Sequence, residues 1–148
     1  MSLFTNILSF IAPEKTKTPA RQEKPETFVL IGSSNYEHQI ASAAQDQRAL
    51  EVLFGPHKPQ GIHRFATAWL IPEENNPHDR NAVRVAIHGK AVGYLRPSDA
   101  LHFHHQCFEQ EKPNAIGQCQ AVVTGGWASS DGRKGPFEVW LDLPSAYR

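Results

Sequence analysis

Several stretches of this chain alternate apolar and polar residues with a period of two, the mark of strands with one buried face. Val83, Val85 and Ile87 alternate with Ala82, Arg84 and Ala86. His88-Gly89 then forms a tight hairpin, and Lys90 to Leu95 returns as the partner strand. Upstream, Arg64 to Ile71 sets Phe65, Thr67, Trp69 and Ile71 on one face. Downstream, Ile116 to Gly126 and Pro136 to Leu143 are two further strands, joined by the Gly-rich loop Ser129 to Gly135. Phe28 to Ile31 is a continuous apolar run closed by Gly32, the pattern of a buried strand.

Two segments follow the helical period instead. Ser34-Asn35-Tyr36-Glu37 matches a capping box and predicts a helix from Tyr36 towards Leu53, stopped by Gly55-Pro56. Its apolar stripe (Ile40, Ala43, Ala44, Leu50, Leu53) is thin, so the helix is expected on the outside of the domain. A second helix follows Leu95, with Pro97 near its start and Asp99 in its first turn. At 100° per residue, Ala100, Leu101, Phe103, His104, Cys107 and Phe108 share an apolar arc, opposite His102, His105, Gln106 and Glu109. Short strands outnumber helices and turns recur closely, which predicts a small barrel of about six strands with two helices flanking it.

The polar break between Leu70 and Ala82 organises the chain. Asn76-Pro77 fixes the turn, because Pro sets φ and drives the preceding residue out of the helical region. Asp79 and Asn81 can then accept hydrogen bonds from nearby amides. Asn76-Pro77-His78-Asp79-x-Asn81-Ala82-Val83, followed at this spacing by Val92-Gly93-Tyr94-Leu95, resembles the HIRAN domain. The resemblance covers about Phe28 to Leu143 and is strongest from Leu70 to Ala100. It implies an OB-like barrel of α+β class, mainly β, over 27–148, and a binding module for single-stranded DNA at its 3′-hydroxyl end. It also implies site residues at Ser34, Tyr36, Asn76, Asp79, Arg80, Tyr94 and Arg96, and a role in repair or replication. Family members carry two adjacent aromatics after the first-strand glycine, where this chain has Asn35-Tyr36.

Composition constrains this picture. A chain of 148 residues suits one domain with one core, and 40% apolar with 20% charged residues is ordinary for a soluble protein. Lysine plus arginine equals aspartate plus glutamate at 15 each, so no long-range field gathers polyanions. An end reader escapes that objection, because it needs only a few nucleotides and local cations such as Arg80, Lys90 and Arg96. Asp79 suits an end as well. A carboxylate repels phosphate but accepts a hydrogen bond from a free 3′-hydroxyl.

Other chemistry is sparse. His102, His104, His105 and Cys107 divide between the two arcs, so no face offers more than two metal ligands, and neither metal nor cofactor is expected. The chain has no Walker-type phosphate loop, no C-x-x-C pair and no H-E-x-x-H helix. A non-enzymatic protein is therefore expected. The two cysteines make no disulfide framework, and a cytoplasmic location is expected. In 1–26, Leu3, Phe4, Ile7, Leu8 and Ile11 fall at helical spacing ahead of a Pro-rich charged linker. That segment is too short to span a bilayer; a short helix packed on its own domain or simply mobile is expected, with docking on a membrane surface or a protein partner as the alternatives. The alternative to DNA-end binding is a scaffold module whose DNA pocket is partly lost.

Overall fold

The computed structural model describes residues 25–147, so the predicted N-terminal helix and most of the linker lie outside the described residues. The described residues form a mostly β structure with seven strands and two α-helices. The strands are β1 (Thr27–Val29), β2 (His38–Gln39), β3 (Ile62–Pro72), β4 (Val83–Ile87), β5 (Lys90–Tyr94), β6 (Ile116–Gly125) and β7 (Phe137–Asp142). The helices are α1 (Ala44–Phe54) and α2 (Pro97–Glu109), and Ser145–Tyr147 adds one 3-10 turn. Six strands pair antiparallel in the order β2-β7-β6-β3-β4-β5, and β1 adds in parallel to β6. The sheet curls into a half-barrel of small OB-like type. Its two ends meet just past β2, where Ala41 and Tyr94 exchange a pair of backbone hydrogen bonds of 2.9 Å.

Alternation builds the interior. Ala68 and Leu70 of β3, Val83, Val85 and Ile87 of β4, Cys119, Ala121 and Val123 of β6, and Val139 and Leu141 of β7 all point inward. Leu50 and Phe54 of α1 and Phe103 of α2 cap this core. The face of β3 carrying Phe65, Thr67 and Trp69 is therefore the outer one. The His88-Gly89 turn has φ of 50° and 80°, as a tight I′ hairpin requires. Gly93 sits at the closure with φ of 153°, and a Cβ there would strike the Ala41 carbonyl oxygen.

Three expectations are corrected. The helix predicted from Tyr36 starts only at Ala44. Ser34 and Tyr36 are left-handed, with φ of 70° and 51°, and the next residues enter β2. Ile40 and Ala41 donate their amides to Val139 and Tyr94, so sheet pairing takes the donors that a helix would have used. Half a capping box forms later, where the Asp46 carboxylate accepts from the Ala43 amide at 2.8 Å. The run Phe28 to Ile31 is an edge strand rather than a buried one. Phe28 stacks on Phe103 and Leu30 is buried, while Val29 and Ile31 are 62% and 77% exposed. In α2, Leu101 and Phe108 leave the predicted apolar arc for solvent, because the sheet covers only the stripe Ala100–Phe103–Cys107.

Candidate nucleic-acid interface

Register places an aromatic row on the outside of the sheet. Phe65 of β3 lies opposite Val122 of β6, which lies opposite Trp140 of β7. Directly paired residues point to the same side, so the three side chains form one band across three strands. The loop from Gly32 to Glu37 folds over this band and sets the Tyr36 ring 5.5 Å from Phe65, tilted by 57°. His63 meets the other side of Phe65 edge-on at 5.3 Å. Together with Ser34 and Asn35 these residues line an open cleft of about 540 Å³. Phe65 is still 61% exposed, so its ring face remains available. Trp140 is oriented by its indole N–H, which donates to Glu138 Oε1 at 3.1 Å.

The loop is held from beneath by Asp142, a buried carboxylate on β7. Its Oδ1 accepts from the Ser34 amide at 2.8 Å. Gly32 passes so close that a Cβ would collide with the same carboxylate. Left-handed non-glycine positions on both sides of Asn35, Ser34 and Tyr36, make a strained arrangement that this anchor keeps in place. Burial and then the charge of Asp142 push the Tyr36 phenol above its ordinary range.

The same outer face continues towards β5. Gln39 pairs with Trp140, and the exposed Arg96 donates to Gln39 Oε1 at 3.1 Å. Beyond the Ala41–Tyr94 closure, the Tyr94 hydroxyl donates to Glu73 Oε1 at 2.8 Å. Asn76 Nδ2 donates to that oxygen at 3.0 Å, and Arg84 Nη1 lies 3.2 Å from Glu73 Oε2. Glu73 thus gathers Tyr94, Asn76 and Arg84 into one polar hub. The hydrogen bond to Glu73, with burial second, holds the Tyr94 hydroxyl above its ordinary range. Asn76 Oδ1 accepts from the amides of His78 and Asp79 at 2.8 and 3.1 Å, and Asp79 Oδ1 accepts from the Asn81 amide at 2.9 Å. Asp79 and Arg80 are exposed on this turn.

No family model matches the chain, and no curated protein matches it by sequence. Among solved structures it is similar to the crystal structure of the HIRAN domain of human HLTF. That likeness has 15% identity and a TM-score of 0.27, over 59% of this chain and 78% of that one.

The residues named from sequence fall into two groups on one face. Ser34 and Tyr36 belong to the aromatic cleft, while Tyr94 and Asn76 meet at Glu73, with Asp79 and Arg80 on the adjoining turn. Arg96 lies between them. Sequence reasoning missed Phe65, His63 and Trp140, although the period of two already put Phe65 and Trp69 on one side. It also missed Glu73, which meets Tyr94, 21 residues on, and Asp142, whose partner Ser34 lies 108 residues away. Among the described residues no group of three or more His, Cys, Asp or Glu side chains could hold a metal ion. No helix among them is long and apolar enough to cross a membrane.

Proposed function

We propose that this protein is a non-enzymatic module that binds single-stranded DNA at a free 3′-hydroxyl end, in repair or replication-fork processing. The observation that carries this reading is the aromatic cleft of Tyr36, Phe65 and Trp140, an exposed ring cluster on a β face beside the cation Arg96. Every base has a stackable face, so such a platform accepts a strand whatever its sequence, at about 1–3 kcal/mol per base. The strand's phosphates meet Arg96, and its terminus reaches the turn Asn76 to Asn81. There one Asp79 oxygen serves Asn81, and the carboxylate keeps acceptor capacity for a hydroxyl donor. The Glu73 hub makes that turn rigid. A small local site of this kind suits a chain of balanced charge.

Fluorescence anisotropy with single-stranded and blunt duplex oligonucleotides tests the proposal. Tyr36→Ala should weaken single-strand binding by about 1–3 kcal/mol with little dependence on base, at unchanged circular dichroism. Unaltered affinity in the folded variant would remove Tyr36 from the site. A second reading, a protein-interaction module, draws on the exposed Val29 and Ile31 at the sheet edge. It gains if the wild-type protein binds no oligonucleotide at all.

A further inference from the structure

The outer face of β3 does not stop at Phe65. Two residues back on the same side is His63, already in edge contact with the Phe65 ring. Two further back is Gly61, with φ of 71°, where a Cβ would lie 3.6 Å from the Trp127 Cβ. Trp127 is therefore the next side chain along this line. Its indole lies against the backbone of Gly135, where a side chain would collide with the ring nitrogen and its neighbouring carbons. It is nonetheless 40% exposed, so the indole offers surface to solvent while its seat is fixed.

The seat is rigid because the chain is laced on both sides. Lys58 donates its amide to Gly126 and accepts from the Ala128 amide, at 3.0 and 2.9 Å. Gly135 donates to the Trp127 carbonyl at 2.9 Å. Lys58 is exposed and pairs with Trp127, so its side chain shares the face of the indole, whereas Lys134 pairs with Ala128 and points to the other face. The carboxylates nearby are already engaged. Asp131 pairs with Arg133 at 2.9 Å, and Glu138 accepts from the Trp140 indole. An exposed indole beside a lysine, beyond the His63 end of β3, has the make-up of a stacking step on a single-strand path.

We infer that the bound strand continues in the 5′ direction from the aromatic cleft, past His63, to stack a base on Trp127 with Lys58 on its phosphates. This inference rests on the single-strand reading of the cleft and adds its footprint. Gly61 to Phe65 spans roughly 13 Å at about 3.3 Å per residue, room for a few nucleotides between the two platforms. The ligand is then a strand segment, held at its end and again some way upstream.

Oligothymidylates sharing a free 3′-hydroxyl and growing at the 5′ side from about two to about eight nucleotides separate these elements, rising into the range of about 4–16 nucleotides for one OB fold. The wild-type protein should gain affinity as the first few nucleotides are added and then level off. Trp127→Ala should remove roughly fivefold to hundredfold of that gain, the range for one stacked base, and leave the shortest strand's affinity unaltered. The substitution Lys58→Glu touches only an exposed side chain and keeps the test open if Trp127→Ala does not fold. It should remove most of the same gain and lower the salt slope of the long strands by about 0.7, the value for one single-strand phosphate contact. A gain that survives in a folded variant, or a wild-type affinity that does not change with length, overturns this inference and leaves the cleft intact. Failure to bind at any length overturns the cleft reading and this one together.

Discussion

Tyr36 shows how a residue's role depends on contacts that local sequence does not contain. Its place over Phe65 depends on a left-handed backbone and on the Ser34–Asp142 hydrogen bond, which joins positions 108 residues apart. Asn76 and Asp79 were readable from sequence because their partners lie two or three residues away. Asp142→Ala strips the Ser34 amide of its acceptor in a part-buried setting. Stability should fall by about 1–3 kcal/mol in urea denaturation, with strand affinity falling too as Tyr36 loses its anchor. Asp79→Asn keeps size and an acceptor oxygen but removes the charge. It should weaken binding to a hydroxyl end by about 1.5–3 kcal/mol, measured by anisotropy, and relax rejection of a 3′-phosphate end. An Asp79→Asn protein with the wild-type ratio of the two affinities would reduce Asp79 to a turn residue.

At the level of elements, the hairpin β4–β5 and the long strands β3, β6 and β7 were legible because alternation and turn chemistry are local signals. The start of α1 was not. A capping-box signature at Ser34 lost to tertiary pairing, since β2 supplies the strand that lies against β7 and leads into the barrel closure. A two-residue strand has too short a pattern to be read. The closure itself depends on Gly93, the one place where β5 lets the Ala41 carbonyl approach this closely. Gly93→Ala should therefore destabilise the domain by at least about 1–3 kcal/mol through strain and lost backbone pairing, read as a lower urea midpoint. A variant as stable as wild type would show that the closure contributes little.

For the whole molecule, one curled sheet separates two functions: an inner face that carries the core and an outer face that carries rings and cations. Its pH response follows from the inner face. Burial pushes the Cys119 thiol up to about 12 from an ordinary 9.0, and burial likewise raises the Tyr147 hydroxyl. The unfolded chain therefore gives up these protons first. Stability should be full below about pH 9 and decline as pH rises towards about 12, and Cys119→Ala should flatten that decline in denaturant titrations. The outer face holds the central claim, recognition of a single-stranded 3′ end, and matched strands that differ only at that end test it most directly. Anisotropy titration of the wild-type protein should give tight binding to a 3′-hydroxyl strand, weaker binding to its 3′-phosphate counterpart by tenfold or more, about 1.4 kcal/mol, and weaker binding still to blunt duplex. Equal affinity for the hydroxyl and phosphate strands would contradict the account.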